Sequence, residues 1–146
     1  MNNENVAEQL WRAFEATLFQ AQIPGGTIEI RIGKNCPELN RVCKDNGSTN
    51  WCFITAWNPG MERPEPAEND RRNLALRSDL INAGCEVFDG CGIGEDPSWE
   101  PEESFLALGI SEEDGIELGR RYDQYAIVVG ELGGPAKLID CRRSRE

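Results

Sequence analysis

The sequence predicts an α+β or α/β domain, a single mixed β-sheet of about five or six strands covered by about three helices. Three observations carry this. The 146 residues match one compact unit whose core needs neither disulfides nor a metal to fold. Residues 27–32 alternate strictly, and residues 51–57 form an apolar run of strand formers. Around them, helix-period segments alternate with short β-branched runs, an order that covers a sheet with helices. The reading is one domain over 1–146, with an N-terminal helix and turn in 1–26.

Taken in order, Val6, Leu10, Phe14 and Leu18 recur every four residues, with Ala7, Trp11 and Ala21 beside them. This predicts an amphipathic helix over 4–21, stopped by Pro24-Gly25-Gly26. Ile28, Ile30 and Ile32 then share one face of a strand. Residues 33–50 are polar, with an Asn46-Gly47 turn signal, and read as a long loop or hairpin excursion. The run 51–57 lacks alternation, so it is placed as a central strand buried on both faces. Two prolines and three charges keep 61–66 irregular.

A helix follows over 67–83, with Leu76, Leu80 and Ala83 inward and Gly84 as its C-terminal stop. Residues 85–88 read as a short strand, and Gly90, Gly92 and Gly94 as a flexible loop. Residues 103–108 form a strand around Phe105 and Leu106. Ser111 with Asp114 three residues on resembles a capping box opening a helix to about Tyr122. Strands over 125–129 and 136–139 complete the sheet, the second after the Gly133-Gly134-Pro135 turn. The basic tail 142–146 is expected to fray.

Composition excludes several functions. There are 15 Lys and Arg against 26 Asp and Glu, a formal charge of −11, and no histidine. That removes Ser-His and Cys-His nucleophiles, His-ligated metals and an imidazole base. The acidic balance argues against nucleic acid as a partner. No apolar run is long enough to span a bilayer, and residues 1–5 lack the pattern of a secretory signal, so a cytoplasmic location without membrane contact is expected. In that compartment the six cysteines are expected as free thiols. Zinc on Cys36, Cys43, Cys85 and Cys91 is disfavoured, because their spacings do not match a zinc knuckle. The acidity is also local: residues 91–118 hold nine acids and no base.

Four constellations remain. A buried strand running into Asn58-Pro59 delivers Asn58 to the sheet's carboxyl edge, where it either grips a ligand or makes an Asx-type turn. On the next helix Asn69 and Asn73 share the inward face, with Arg72 nearby. They either tie down the proline loop or line a polar, anion-accepting pocket. The Gly90–Gly94 glycines run into acids and prolines rather than a helix, so the dinucleotide-loop reading fails. Trp99 and the carboxylates Glu102 and Glu103 enter a strand whose pleat must turn one acid inward, where Arg72 or Asn73 would partner it. Such carboxylates would suit a general base or a magnesium ion.

Several blocks resemble a known bacterial family. They are Phe53-Ile54-Thr55-Ala56-Trp57-Asn58-Pro59, Asn69-Asp70-Arg71-Arg72-Asn73-Leu74 with Leu76 and Leu80, Trp99 with Glu102-Glu103-Ser104-Phe105-Leu106, and Leu118-Gly119-Arg120-Arg121 with Gln124. Their order over 51–139 is similar to that of the domain of unknown function 3293 family. The resemblance implies relatedness without an assigned activity. It also implies that Asn58, Asn69, Arg72, Asn73, Glu103, Ser104 and Gln124 belong to one constellation.

The leading expectation is a pocket for a small polar ligand, anionic or nucleotide-like, formed by the strand end 55–59, the next helix start and the strand 102–105. Its expected ligand-binding residues are Thr55, Trp57, Asn58, Asn69, Arg72, Asn73, Trp99, Ser104 and Gln124. Arg72 would neutralise an anion, and Glu103 is the best-placed carboxylate, orienting Arg72 or acting as base. Amides suit selective binding better than proton transfer, so any enzyme here would be a carboxylate-dependent hydrolase or transferase. The alternative is an interaction module that meets a basic protein through 91–118 and has no small-molecule site.

Overall fold

The structure, a computed structural model, describes residues 3–59, 62–98 and 100–142, with side chains of the first helix described from Glu8 on. The elements run α1 (Asn3–Glu15), β1 (Leu18–Ile23), β2 (Gly26–Ile30), α2 (Pro37–Asp45), β3 (Asn50–Ile54) and α3 (Pro66–Asn82). They continue β4 (Glu86–Ile93), β5 (Glu102–Leu108), α4 (Glu112–Arg121), β6 (Ala126–Glu131) and β7 (Lys137–Asp140). The seven strands form one sheet in the order β2-β1-β4-β5-β3-β6-β7. The fold is α+β.

Every ladder in the sheet is antiparallel, where the sequence predicted a mixed sheet. The reason lies in the connections. Helix α3 links β3 to β4, which run parallel but are kept apart by β5, and α4 links β5 to β6 across β3. The segment β3-α3-β4-β5-α4-β6 is therefore a split βαβ, or ferredoxin-like, unit. The β1–β2 hairpin extends it at one edge and β7 at the other. Beyond the strand ends Ile32 bridges Ala136, and the Gly33 N–H donates to the Ala136 carbonyl at 2.8 Å. This contact draws the two edges together and curls the sheet.

Each face of the sheet is buried. On the outer face Leu76 and Leu80 of α3 and Ile116 and Leu118 of α4 pack on Cys52, Ile54, Ala107 and Val129. Inside the curl, Phe19, Ile28, Trp51, Phe53, Leu106 and Val128 pack with Leu39 and Cys43 of α2, and Trp11 and Phe14 of α1 lean on this cluster. Alternate β3 residues thus reach opposite clusters, and β3 is the central strand the sequence predicted.

Three sequence expectations are corrected. The predicted helix 4–21 ends at Glu15, and its last third is strand β1, in which Phe19 pairs Ile30 and Ala21 pairs Ile28. Leu18 to Ile23 fits a two-residue period as well as a four-residue one, and pairing with the 27–32 strand decides between them. Residues 33–50 are not a loop excursion, because they hold α2, with Pro37 in its first turn and Leu39 and Cys43 inward four residues apart. The glycines of 90–94 are not a flexible loop, because β4 runs through them to Ile93. A Cβ on Gly90 would sit 2.3 Å from the Gln20 carbonyl oxygen, so only glycine lets β1 and β4 approach there. Val6 and Ala7 of the predicted stripe and tail residues 143–146 lie outside the described side chains.

Candidate functional site

Strand β3 leaves its ladder after Ile54, and residues 55–58 run on without a strand partner. Main-chain groups in such a segment need side-chain partners wherever they are buried. The inward asparagines of α3 supply them. Asn73 accepts from the Ala56 N–H at 2.8 Å and donates to the Glu103 carbonyl at 2.9 Å, extending the β3–β5 ladder by one side-chain rung. One helical turn earlier, Asn69 accepts from the Asn58 N–H at 2.9 Å and donates to the Asn58 Oδ1 at 3.0 Å. Both are buried.

The remaining groups are held by Arg72 of α3, by Gln124 after α4 and by Thr55 of the strand end itself. Arg72 donates through Nε to the Ala56 carbonyl at 3.0 Å and through Nη2 to the Tyr122 carbonyl at 2.9 Å. Gln124 donates to the Trp57 carbonyl at 3.0 Å, and the Thr55 hydroxyl accepts from the Trp57 N–H at 3.1 Å while donating to the Glu103 carbonyl at 2.6 Å. This collar holds Asn58 at a φ of 50°, the left-handed region that is strained for a residue with a side chain.

The rim fixed in this way borders a cavity of about 470 Å³ at the mouth of the curled sheet. Its floor is apolar, from Phe19, Phe53, Val128 and Leu138, and α1 forms one wall through Leu10 and Phe14. Phe14 stacks on Tyr125 at 5.7 Å, and Phe19 meets Phe53 edge-on at 5.2 Å. The polar part of the lining includes Thr55, Asn58, Glu102, Ser104 and Gln124, with Glu95, Asp96 and Glu100 also bordering the cavity. Trp57 borders it too, and its buried indole N–H finds no acceptor among the described protein atoms.

The sequence-predicted residues converge on this one place in two layers. Thr55, Trp57, Asn58, Ser104 and Gln124 border the cavity, whereas Asn69, Arg72 and Asn73 stand behind the strand end and brace it. The start of α3 therefore supports the wall rather than forming it, and α1, which the sequence reading did not include, takes its place. Arg72 faces carbonyls, not the cavity. Trp99 lies outside the described residues.

The pleat of β5 turns Glu102 and Ser104 to the cavity and leaves Glu103 exposed on the other side. The inward acid is thus Glu102, partnered by Asn58, whose Nδ2 donates to its Oε2 at 2.9 Å. Burial raises the Glu102 carboxyl above its ordinary pKa, while the Asn58 hydrogen bond and the charge of Arg63 pull it back. Glu102 is the residue the sequence reading passed over for Glu103. Parity along 102–108 was visible, but nothing in the sequence says which sheet face holds the cavity.

Among the described residues no three His, Cys, Asp or Glu side chains gather to hold a metal ion. Cys36 and Cys43 sit in the inner cluster, Cys85 packs against the outer one, and Cys91 lies in β4. Burial raises all four thiols. Among the described residues no helix is long and apolar enough to cross a membrane.

A split βαβ sheet with a braced strand end and a cavity beside it is the architecture in which this chain's motif residues are set. Residues 54–127 match the family model described as a protein of unknown function, DUF3293, and the match spans half of the chain. The chain belongs to that family. No curated protein and no solved structure matches it.

Proposed function

We propose that this protein binds a small organic molecule in the cavity at the mouth of the sheet, apolar part inward and polar part against Asn58 and Glu102. The observation that carries the reading is a concave, aromatic-floored space of ligand size with a small number of polar groups at one side. The motif residues support it indirectly. Asn69, Arg72, Asn73 and Gln124 hold main-chain groups of 56–58, which keeps the cavity rim in one geometry before any ligand arrives. Binding rather than catalysis is the reading the inventory supports: amides predominate, and beside them Glu102 is a half-buried carboxyl.

Thermal shift against a panel of small molecules tests this. The panel includes nucleotides, sugar phosphates, amino acids and aromatic amines, each with and without magnesium. A ligand of the cavity raises the melting temperature with its concentration, by about 2.7 kcal/mol of added stability at a hundred times its Kd. NMR shifts then map to Asn58, Ser104 and Gln124. A panel without any concentration-dependent shift, or shifts confined to the outer faces of α3 and α4, removes the reading.

A further inference from the structure

Resting on the cavity reading, we infer that the ligand is an organic cation: an aromatic or aliphatic body carrying an ammonium or amidinium head. The charges of the lining set the sign. Glu95, Asp96, Glu100 and Glu102 all border the cavity, and the cation among its described lining residues is Arg12. Arg12 projects into solvent and pairs with Glu8 at 3.7 Å. Arg72, the guanidinium nearest the strand end, is committed to the Ala56 and Tyr122 carbonyls. Arg63 acts on Glu102 from the proline loop and is itself exposed. The four bordering carboxylates outnumber Arg12, Arg63 and Arg142, the last held over the Tyr125 ring at 3.8 Å, so the space disfavours an anion and draws in an ammonium.

The walls agree with the charge. Phe14, Phe19, Phe53 and Trp57 border one space, and aromatic faces attract cations through their quadrupoles; Tyr125, which also borders it, already holds the Arg142 guanidinium over its ring at 3.8 Å. A site of rings around a carboxylate suits an ammonium better than a phosphate or a sugar. Glu102 is placed to receive the head group. It takes one hydrogen bond from Asn58, and an ionised carboxylate has acceptor sites for more.

Three probes with one hydroxyphenyl body separate the possibilities: tyramine (cation), p-cresol (neutral) and 4-hydroxyphenylacetate (anion). Affinities are read by NMR titration at low ionic strength and pH 8, on the full chain and on Glu102→Gln. Tyramine is expected to bind at least about tenfold more tightly than 4-hydroxyphenylacetate, a ratio well within reach of one partly buried ion pair. Its shifts should centre on Trp57 and Asn58. The Glu102→Gln variant, checked by its melting curve to be folded, is expected to lose most of that preference.

If 4-hydroxyphenylacetate binds as tightly as tyramine, the cation inference falls while the cavity reading stands. A preference that survives Glu102→Gln, or shifts that map to the carboxylates of α4, shows attraction to an acidic surface and also overturns the inference. If none of the three binds, and the wider thermal-shift panel is also silent, the cavity reading itself is lost and this inference with it.

Discussion

Asn69 and Asn73 illustrate how a residue poorly suited to a helix interior is retained there. Each carries both an acceptor and a donor on one short arm, so each can close a main-chain N–H and an oxygen together. Their spacing on the inward face was readable from the sequence, which offered tying down the proline loop or lining a pocket; the structure has them brace the strand end at Ala56 and Asn58 instead. Glu102 carries the opposite kind of information. Its folded pKa lies above the unfolded value because burial disfavours the carboxylate. The folded chain therefore holds the proton more tightly, and this contribution to stability is complete below the unfolded pKa and is lost as pH rises through the folded one. At neutral pH the protein carries a desolvated charge that Glu102→Gln would remove, while the new amide oxygen still accepts from Asn58. The variant is expected to melt above the wild type at pH 7, with the gap closing as pH falls below the carboxylate range. Melting curves across that range check it, and a gap that is constant, or reversed at pH 7, removes the assignment of Glu102 as the inward acid under strain. A carboxyl kept at a stability cost is what a binding site would require.

At the scale of elements, local pattern located most of the helices and strands and failed where two patterns overlapped or where a distant strand decided the outcome. Helix α3 was readable because its inward positions and Gly84 stop agree, and α4 because Ser111 accepts from the Asp114 N–H as a capping residue should. Strand β1 was not, because Leu10, Phe14 and Leu18 continue a helical stripe into it and only pairing with β2 and β4 reveals its two-residue period. The second half of strand β4 was hidden by its own glycines, which signal a loop locally, although β1 lying against Gly90 requires that one. This yields a paired test. Gly90→Ala places a methyl group against the Gln20 carbonyl at 2.3 Å and the Phe53 ring at 3.0 Å, whereas Gly92→Ala meets nothing nearer than 3.7 Å. The first is expected to cost about 1–3 kcal/mol or more in urea unfolding, and the second to stay within about 0.5 kcal/mol of wild type. Equal effects at the two positions would mean that β1 does not pack on β4 at Gly90 in this register.

For the whole molecule, the uneven charge ties the fold to the cavity. A formal charge of −11 is a self-repulsion that compaction increases, and the run 91–118 carries most of it through the cavity edge and into α4. Exposed pairs such as Lys137 with Glu112 at 3.9 Å and Arg121 with Asp79 at 3.3 Å offset little of this. Part of that charge is favoured by the fold: Glu112, Glu113 and Asp114 occupy the first turn of α4, where the helix dipole stabilises them. Glu95, Asp96, Glu100 and Glu102 stand away from that helix end and border the cavity. Added salt should therefore have opposite effects on folding and on binding. Raising ionic strength from about 0.01 M to about 0.1 M shortens the Debye length from about 30 Å to about 10 Å. The melting temperature of the free protein is expected to rise over that interval as repulsion among the carboxylates is screened. Tyramine affinity is expected to fall over the same interval, since the field that draws the cation in is screened too. Both are read in one buffer series, by melting curves and by titration. A melting temperature that falls with salt would mean that attractive pairs, not repulsion, dominate the surface, and a tyramine affinity indifferent to salt would place the cation's binding energy in the aromatic walls rather than in the acids around them.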